Sequence, residues 1–151
     1  MITLAQLIYN TKGIVYTCGN GGSASTASHF TQDLIKACGI RSICMTDNIG
    51  FILATSNDED FSKVFKNYLD VMAREDDLLV LFSGSGNSRN LVTAVNSVKG
   101  FIPTVAIVGF DGGILSRICD HVFHVPVNDM RIVETEHLGI AHNTIAELEI
   151  R

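Results

Sequence analysis

The sequence predicts an α/β protein: a three-layer α-β-α sandwich built on a five-stranded parallel sheet. Three observations carry this. Short apolar, β-branched runs alternate with segments of helical spacing along the whole chain. No two of those runs are joined by a hairpin turn, so each strand is followed by a crossover helix. Two glycine- and serine-rich loops come directly after predicted strands, where open parallel sheets place their ligands. With 151 residues, 46% hydrophobic and 18% charged, the chain is read as one domain over residues 1–151, too apolar for disorder.

A short amphipathic helix over 3–10 puts Leu4, Leu7 and Ile8 on one stripe. Strand one is Gly13–Thr17, apolar and β-branched. After a glycine loop, Ser23–Lys36 has the capping residue and spacing of a helix. Strand two is Arg41–Thr46, followed by a short helix over Ile49–Thr55. Asn57-Asp58-Glu59-Asp60 reads as a turn whose acids cap a helix over Phe61–Met72. Strand three, Asp77–Ser83, is almost continuously apolar, as a central parallel strand should be. It runs into Gly84-Ser85-Gly86-Asn87-Ser88, and a helix follows over Arg89–Lys99. Strand four is Pro103–Gly109, then Asp111-Gly112-Gly113 and a short helix through Cys119. Strand five is His121–Pro126, and the last helix covers Met130–Glu149.

Composition excludes several function classes. The net charge of −5, without a Lys/Arg stripe, argues against a nucleic-acid ligand. No apolar run reaches the length of a membrane span, and the first residues lack the basic start of a signal peptide. The four cysteines are scattered without a C-x-x-C pair, which reads as reduced thiols in a cytoplasmic protein. The positive mean hydropathy of +0.27 hints at apolar surface buried between subunits.

The loop Cys18-Gly19-Asn20-Gly21-Gly22-Ser23 joins a strand end to a helix start. Backbone N–H groups and the positive end of the helix dipole meet there, which suits a phosphate. In the second loop Ser83, Ser85 and Ser88 offer hydroxyls; alone, such a stretch is as readily an ordinary capped turn. Two such loops on one sheet edge favour phosphate. Neither has the lysine of a P-loop, and Ala24 breaks a G-x-G-x-x-G reading, so a sugar phosphate fits better than a nucleotide. His29 and Asp33 form an i, i+4 pair on the first of these helices. On the last helix, Glu134 and His142 are about 800° of rotation apart, on adjoining strips of one side, with His137 on a neighbouring strip. Two histidines and two carboxylates suit Zn²⁺ or another divalent ion, but spacing alone does not bring the two helices together. His121 and His124, on strand five, are read as structural.

The run Gly19-Asn20-Gly21-Gly22-Ser23, then His29-Phe30 and an acid at 33, resembles the opening of the phosphoheptose isomerases of the sugar isomerase (SIS) domain family. The likeness continues through Asp47, Asn57-Asp58, Ser83–Ser88, Asp111-Gly112-Gly113 and Glu134-x-x-His137-x-x-x-x-His142. It implies a flavodoxin-like sheet order and an aldose–ketose isomerase acting through an enediol, on a substrate such as sedoheptulose 7-phosphate, for surface-sugar (lipopolysaccharide) synthesis. It implies that Asn20, Gly21, Gly22, Ser23, Ser83, Ser85 and Ser88 hold the phosphate and that Asp58 orients substrate. It implies one Zn²⁺ per active site on His29, Asp33, Glu134 and His142, with Asp33 as base and His142 as partner acid–base. It also implies a homo-oligomer, dimer or tetramer, with active sites between subunits. The chain departs from the family pattern at Asp33 and Glu134, where Glu and Gln are usual, and at Gly84, where Thr is usual. The stretch before strand one is short beside the long helix the resemblance implies there. A second reading is a non-catalytic SIS module that binds a phosphosugar or a protein partner in a regulatory role.

Overall fold

The strands and helices follow from where the chain can bury apolar side chains on one face, both faces or a single stripe. In the computed structural model, which describes residues 2–150, they are α1 (Leu4–Asn10), β1 (Val15–Cys18), α2 (Gly22–Lys36), β2 (Ser42–Cys44), α3 (Ile49–Asp58) and α4 (Val64–Met72). Next come β3 (Leu78–Ser83), α5 (Arg89–Val98), β4 (Thr104–Val108), α6 (Leu115–Ile118), β5 (His121–His124) and α7 (Met130–Glu149). The five strands form one sheet in the order β2-β1-β3-β4-β5, with every neighbouring pair parallel. β1 and β3 meet in register from Val15 opposite Leu78 to Cys18 opposite Leu81. The order reverses between β1 and β3, so the loops after these two strands flank the switch point.

Side chains alternate across the sheet, as the two-residue period of a strand requires. Tyr16, Cys18, Leu79, Leu81, Ala106 and Val108 pack on one face with Leu69, Leu91 and Val95 of α4 and α5. Val15, Val80, Phe82, Val105 and Ile107 pack on the other with Ile8, Phe30, Leu34 and Ala141 of α1, α2 and α7. Helices thus cover both faces, and α2 and α7 lie side by side on the second.

Several ends differ from the sequence expectation, strand five for one stopping at His124, and three of the differences can be traced to particular contacts. The strand expected over 13–17 begins at Val15, because the Gly13 N–H donates to Asp76 O and the Ile14 N–H to the Asp77 carboxylate, at 2.8 and 2.6 Å. The second strand stops at Cys44; Met45–Asp47 is a 3₁₀ turn, and Ser28 Oγ donates to Asp47 at 2.9 Å. Asn57 and Asp58 belong to the last turn of α3, closed by the Glu59 N–H donating to Thr55 O. Asp60 caps the next turn by accepting from the Ser62 N–H, as the acidic run predicts. None of the described helices is long and apolar enough to cross a membrane.

Candidate functional site

Helix starts show where this protein leaves hydrogen-bond donors unspent. Helices α1, α3 and α7 begin on side chains that accept from their first turns: Thr3, Asn48 and Asp129. The two helices that begin at the switch point do not. The residue before α2 is Gly21, with no side chain and a φ of +56°, a conformation glycine tolerates best. The residue before α5 is Ser88, whose side chain caps nothing. Each terminus keeps N–H groups and a positive dipole end available for an anion. At α2 the N–H groups of Ser23 and Ala24 are already used by the Asn20 and Gly21 carbonyls, at 3.0 Å each.

A cavity of ≈ 170 Å³ lies between these termini. It is lined by Asn20, Ser23, Ser83, Gly84, Ser85, Ser88, Met130 and Glu134, with Phe82 and Leu91. Ser83 Oγ accepts from the Gly86 N–H at 3.0 Å and Ser85 Oγ from the Asn87 N–H at 3.2 Å, so both hydroxyls keep their protons to donate. Gly86 has a φ of +67°, and a Cβ there would overlap the Gly112 carbonyl. Loop two is therefore folded against the loop after β4. A broader cleft of ≈ 560 Å³ adjoins it, lined by Phe110, Asp111, Pro126 and Asn128, and shares Ser85 and Met130 with the smaller cavity. A Cβ at Gly84 would overlap the Met130 thioether, so Met130 fills the space a side chain at 84 would take.

Further along α2, where α7 packs beside it, stands a group of His29, Asp33 and His142, whose ligand atoms all lie within 4.8 Å of one another. His29 Nε2 is 3.3 Å from Asp33 Oδ2, and the two imidazoles meet edge to face with centroids 5.1 Å apart. A cleft of ≈ 510 Å³ runs beside His29, lined also by Ser25, Ser28, Gln32 and Asp47. Two imidazoles and a carboxylate at this spacing fit a divalent ion such as Zn²⁺, with a coordination position left over for substrate.

The structure brings most of the sequence candidates together, but in two places. Ser23, Ser83, Ser85 and Ser88 line the small cavity; His29, Asp33 and His142 form the group farther along. Glu134 does not join that group. Eight residues of α7 separate it from His142, about 12 Å of axial rise, and its carboxylate occupies the space where a Cβ at Gly22 would stand. It lines the small cavity as a negative charge. Asn20 also lines that cavity, but its side-chain amide is hydrogen-bonded to Asn90 in both directions. Asp58 is exposed, takes a hydrogen bond from Asn57, and lines neither cavity. Asn90 and Met130 were not legible in the sequence, since neither belongs to a local pattern.

His137 is buried against Phe82, with both ring nitrogens lacking a hydrogen bond. Burial pushes its pKa down, while the Val108 carbonyl and Glu134 pull the other way. Burial likewise pushes the Cys18 thiol well up and Cys119 to about 11, so neither is a nucleophile at neutral pH. His124 Nε2 lies 2.9 Å from the Phe110 carbonyl, across from strand four.

Comparison with known proteins agrees with this fold. A model of the SIS domain matches residues 3–109. The phosphoheptose isomerase of Aliarcobacter butzleri is 32% identical over 140 residues, 89% of this chain and 74% of its own. That of Sulfurimonas denitrificans is 34% identical over 145 residues, 92% of this chain and 74% of its own. Among solved structures, a phosphoheptose isomerase from Neisseria gonorrhoeae superposes with a TM-score of 0.90 at 28% identity, covering 95% of this chain and 82% of that one.

Proposed function

Since this chain belongs to the SIS domain family, within the group of the phosphoheptose isomerases, we propose that it interconverts the ketose and aldose forms of a seven-carbon sugar phosphate, starting from sedoheptulose 7-phosphate. One observation carries the reading. The uncapped starts of α2 and α5 share a hydroxyl-lined cavity, and α2 and α7 carry a His/Asp/His group farther along. From Ser23 to His29 is about 9 Å of helical rise, and from Glu134 to His142 about 12 Å. An extended seven-carbon chain places its C1 about 10 Å from its phosphorus, at about 1.3 Å per carbon–carbon bond plus the ester link. A phosphate held at the helix ends thus reaches the group with the carbons that react.

In this reading Ser23, Ser83, Ser85 and Ser88 donate to the phosphate oxygens, together with the N–H groups at the two helix starts. Binding at that remote end orients C1 and C2 without itself taking part in the reaction. The Asp33 carboxylate removes a proton from C1 of the ketose, and the electron pair becomes the C1=C2 bond of an enediol. His142 gives a proton to the C2 oxygen and takes one from the C1 hydroxyl, forming the C1 carbonyl. Asp33 then returns its proton to C2, so no net proton is gained or lost. Zn²⁺, when held by His29, Asp33 and His142, supplies positive charge beside the oxygen that becomes negative. A carboxylate has a second oxygen, so Asp33 would keep its role as base with one oxygen turned to the ion.

Exposed apolar side chains on α3 and α4, Ile49, Leu53 and Val71, support assembly into a homo-oligomer, as a dimer or tetramer that brings other subunits close to each site. The product belongs to the class of phosphorylated sugars that surface-sugar synthesis consumes. The test is metal content together with turnover of sedoheptulose 7-phosphate by the protein and by Asp33→Ala. Bound zinc, with turnover that disappears in the variant, is the expected result. Phosphosugar binding without turnover or metal would refute the isomerase reading and leave a binding module.

A further inference from the structure

The two loops around the small cavity follow neighbouring strands, yet their tips are held differently. Loop two is tied to the β4 side: the Gly109 N–H donates to Gly84 O, the Leu115 N–H to Gly86 O and the Ile114 N–H to Asn87 Oδ1, at 2.9, 2.9 and 3.0 Å. Loop one, from Gly19 to Gly22, faces it from across the switch point. Past the last paired residues of β1 and β3, loop one is joined to the first turn of α5 by side chains. Asn20 Nδ2 donates to Asn90 Oδ1 at 3.0 Å, and Asn90 Nδ2 donates to Asn20 Oδ1 at 2.9 Å. Asn90 is 2% exposed, stands in the first turn of α5, and also accepts from the Leu91 N–H at 3.0 Å. It does not line the cavity, whereas Asn20 does.

From this pairing we infer that Asn20 and Asn90 form an amide latch that sets the distance between the two uncapped helix starts, making Asn90 a positioning residue for the phosphate. The inference rests on the phosphate reading of the cavity. A phosphate bridging the starts of α2 and α5 has a fixed span between its oxygens, so the starts must sit at one separation. Glycine has the most backbone freedom to lose, so ordering loop one has an entropic cost. A reciprocal amide pair suits that task. Each side chain supplies one donor and one acceptor, both bonds are short, and no charge is placed beside the anion. Truncating either member frees loop one and leaves an amide unpaired in a mostly buried place. The chemistry at His29, Asp33 and His142 lies turns away and keeps its geometry.

The test measures binding of inorganic phosphate by calorimetry, and KM and kcat for sedoheptulose 7-phosphate, on the whole protein and on Asn20→Ala, Asn90→Ala and the double variant. Asn90→Ala is expected to raise the phosphate Kd and the KM about tenfold, the effect of losing a buried hydrogen-bonded pair. Its kcat at saturation should stay within about threefold and its metal content unchanged, since uniform binding is what is lost. The double variant should bind phosphate no worse than the weaker single variant, because both remove the same pair. If Asn90→Ala does not fold, Asn90→Ser tests the same point, with a hydroxyl too short to span the gap. Unchanged phosphate binding in a folded Asn90 variant, or losses that simply add in the double variant, would overturn the latch alone. Wild-type protein that binds no phosphate would overturn the phosphate reading itself, and the latch with it.

Discussion

Glu134 is the residue whose charge sets the strictest test of the site. Its carboxylate lines the same ≈ 170 Å³ cavity as Ser23, Ser83, Ser85 and Ser88, and among the described residues no Lys or Arg lines that cavity to offset it. Two charges about 6 Å apart, one of them a phosphate of about −1.5, repel by roughly 1 kcal/mol in bulk water and roughly 4 kcal/mol at an effective dielectric constant near 20. Glu134→Gln keeps the shape and removes the charge. It should therefore lower the Kd for inorganic phosphate at least fivefold, the lower bound being about 1 kcal/mol at 25 °C. Titration calorimetry at low salt reads this directly, and raising the ionic strength should narrow the difference. Phosphate binding that is unchanged or weaker in Glu134→Gln would refute the reasoning. So would zinc lost from that variant alone, which would put Glu134 among the metal ligands and away from the phosphate.

Other substitutions test the frame around the site. Asp77 is buried and accepts from the N–H groups of Ile14 and Arg74 at 2.6 and 2.7 Å; Asp77→Ala should lower unfolding stability by about 3 kcal/mol, read by denaturant titration. The lowered pKa of His137 means the folded imidazole resists protonation. Its share of stability is full above about pH 6.5 and falls as the pH drops below it, where the unfolded chain takes up the proton. His137→Leu should flatten the decline in melting temperature between about pH 7 and pH 5.5. Gly84→Ser meets only the flexible end of Met130 and should cost under about 1 kcal/mol, while Gly86→Ala meets a backbone carbonyl at a positive φ and should cost more than about 3 kcal/mol. Thermal melts of the two variants would separate these outcomes.

Much of this was legible because its causes are local. The final helix was readable from Met130 to Glu149 even with Gly139 inside it, and Asp129 caps its start by accepting from the Arg131 N–H. The sheet and its parallel pairing followed from apolar runs without hairpin turns. The His29–Asp33 pair could be read from an i, i+4 spacing. What escaped depends on distances between segments far apart in the chain. Nothing near Asn20 announces Asn90, seventy residues on. Nothing near Gly84 announces that Met130 fills its missing side chain. Glu134 and His142 share a side of α7 two turns apart, and that rise sends them to different places. The strand start expected at Gly13 moved because a side chain from elsewhere, the Asp77 carboxylate, takes the Ile14 N–H.

The glycine before α2 and the unspent serine before α5 have a consequence for the protein's life outside catalysis. A helix start without a capping side chain is less stable by up to about 1 kcal/mol, less where glycine stands there, so two such ends leave the fold looser than its core alone would make it. An anion that settles between them completes both helices at once and becomes a structural part of the molecule. Folding and metabolite supply then belong to a single equilibrium, because whatever binds the native form alone raises its stability with concentration. A cell rich in the right phosphate ester would keep more of this enzyme folded, and one starved of it would let the protein slip toward degradation before any change in its synthesis.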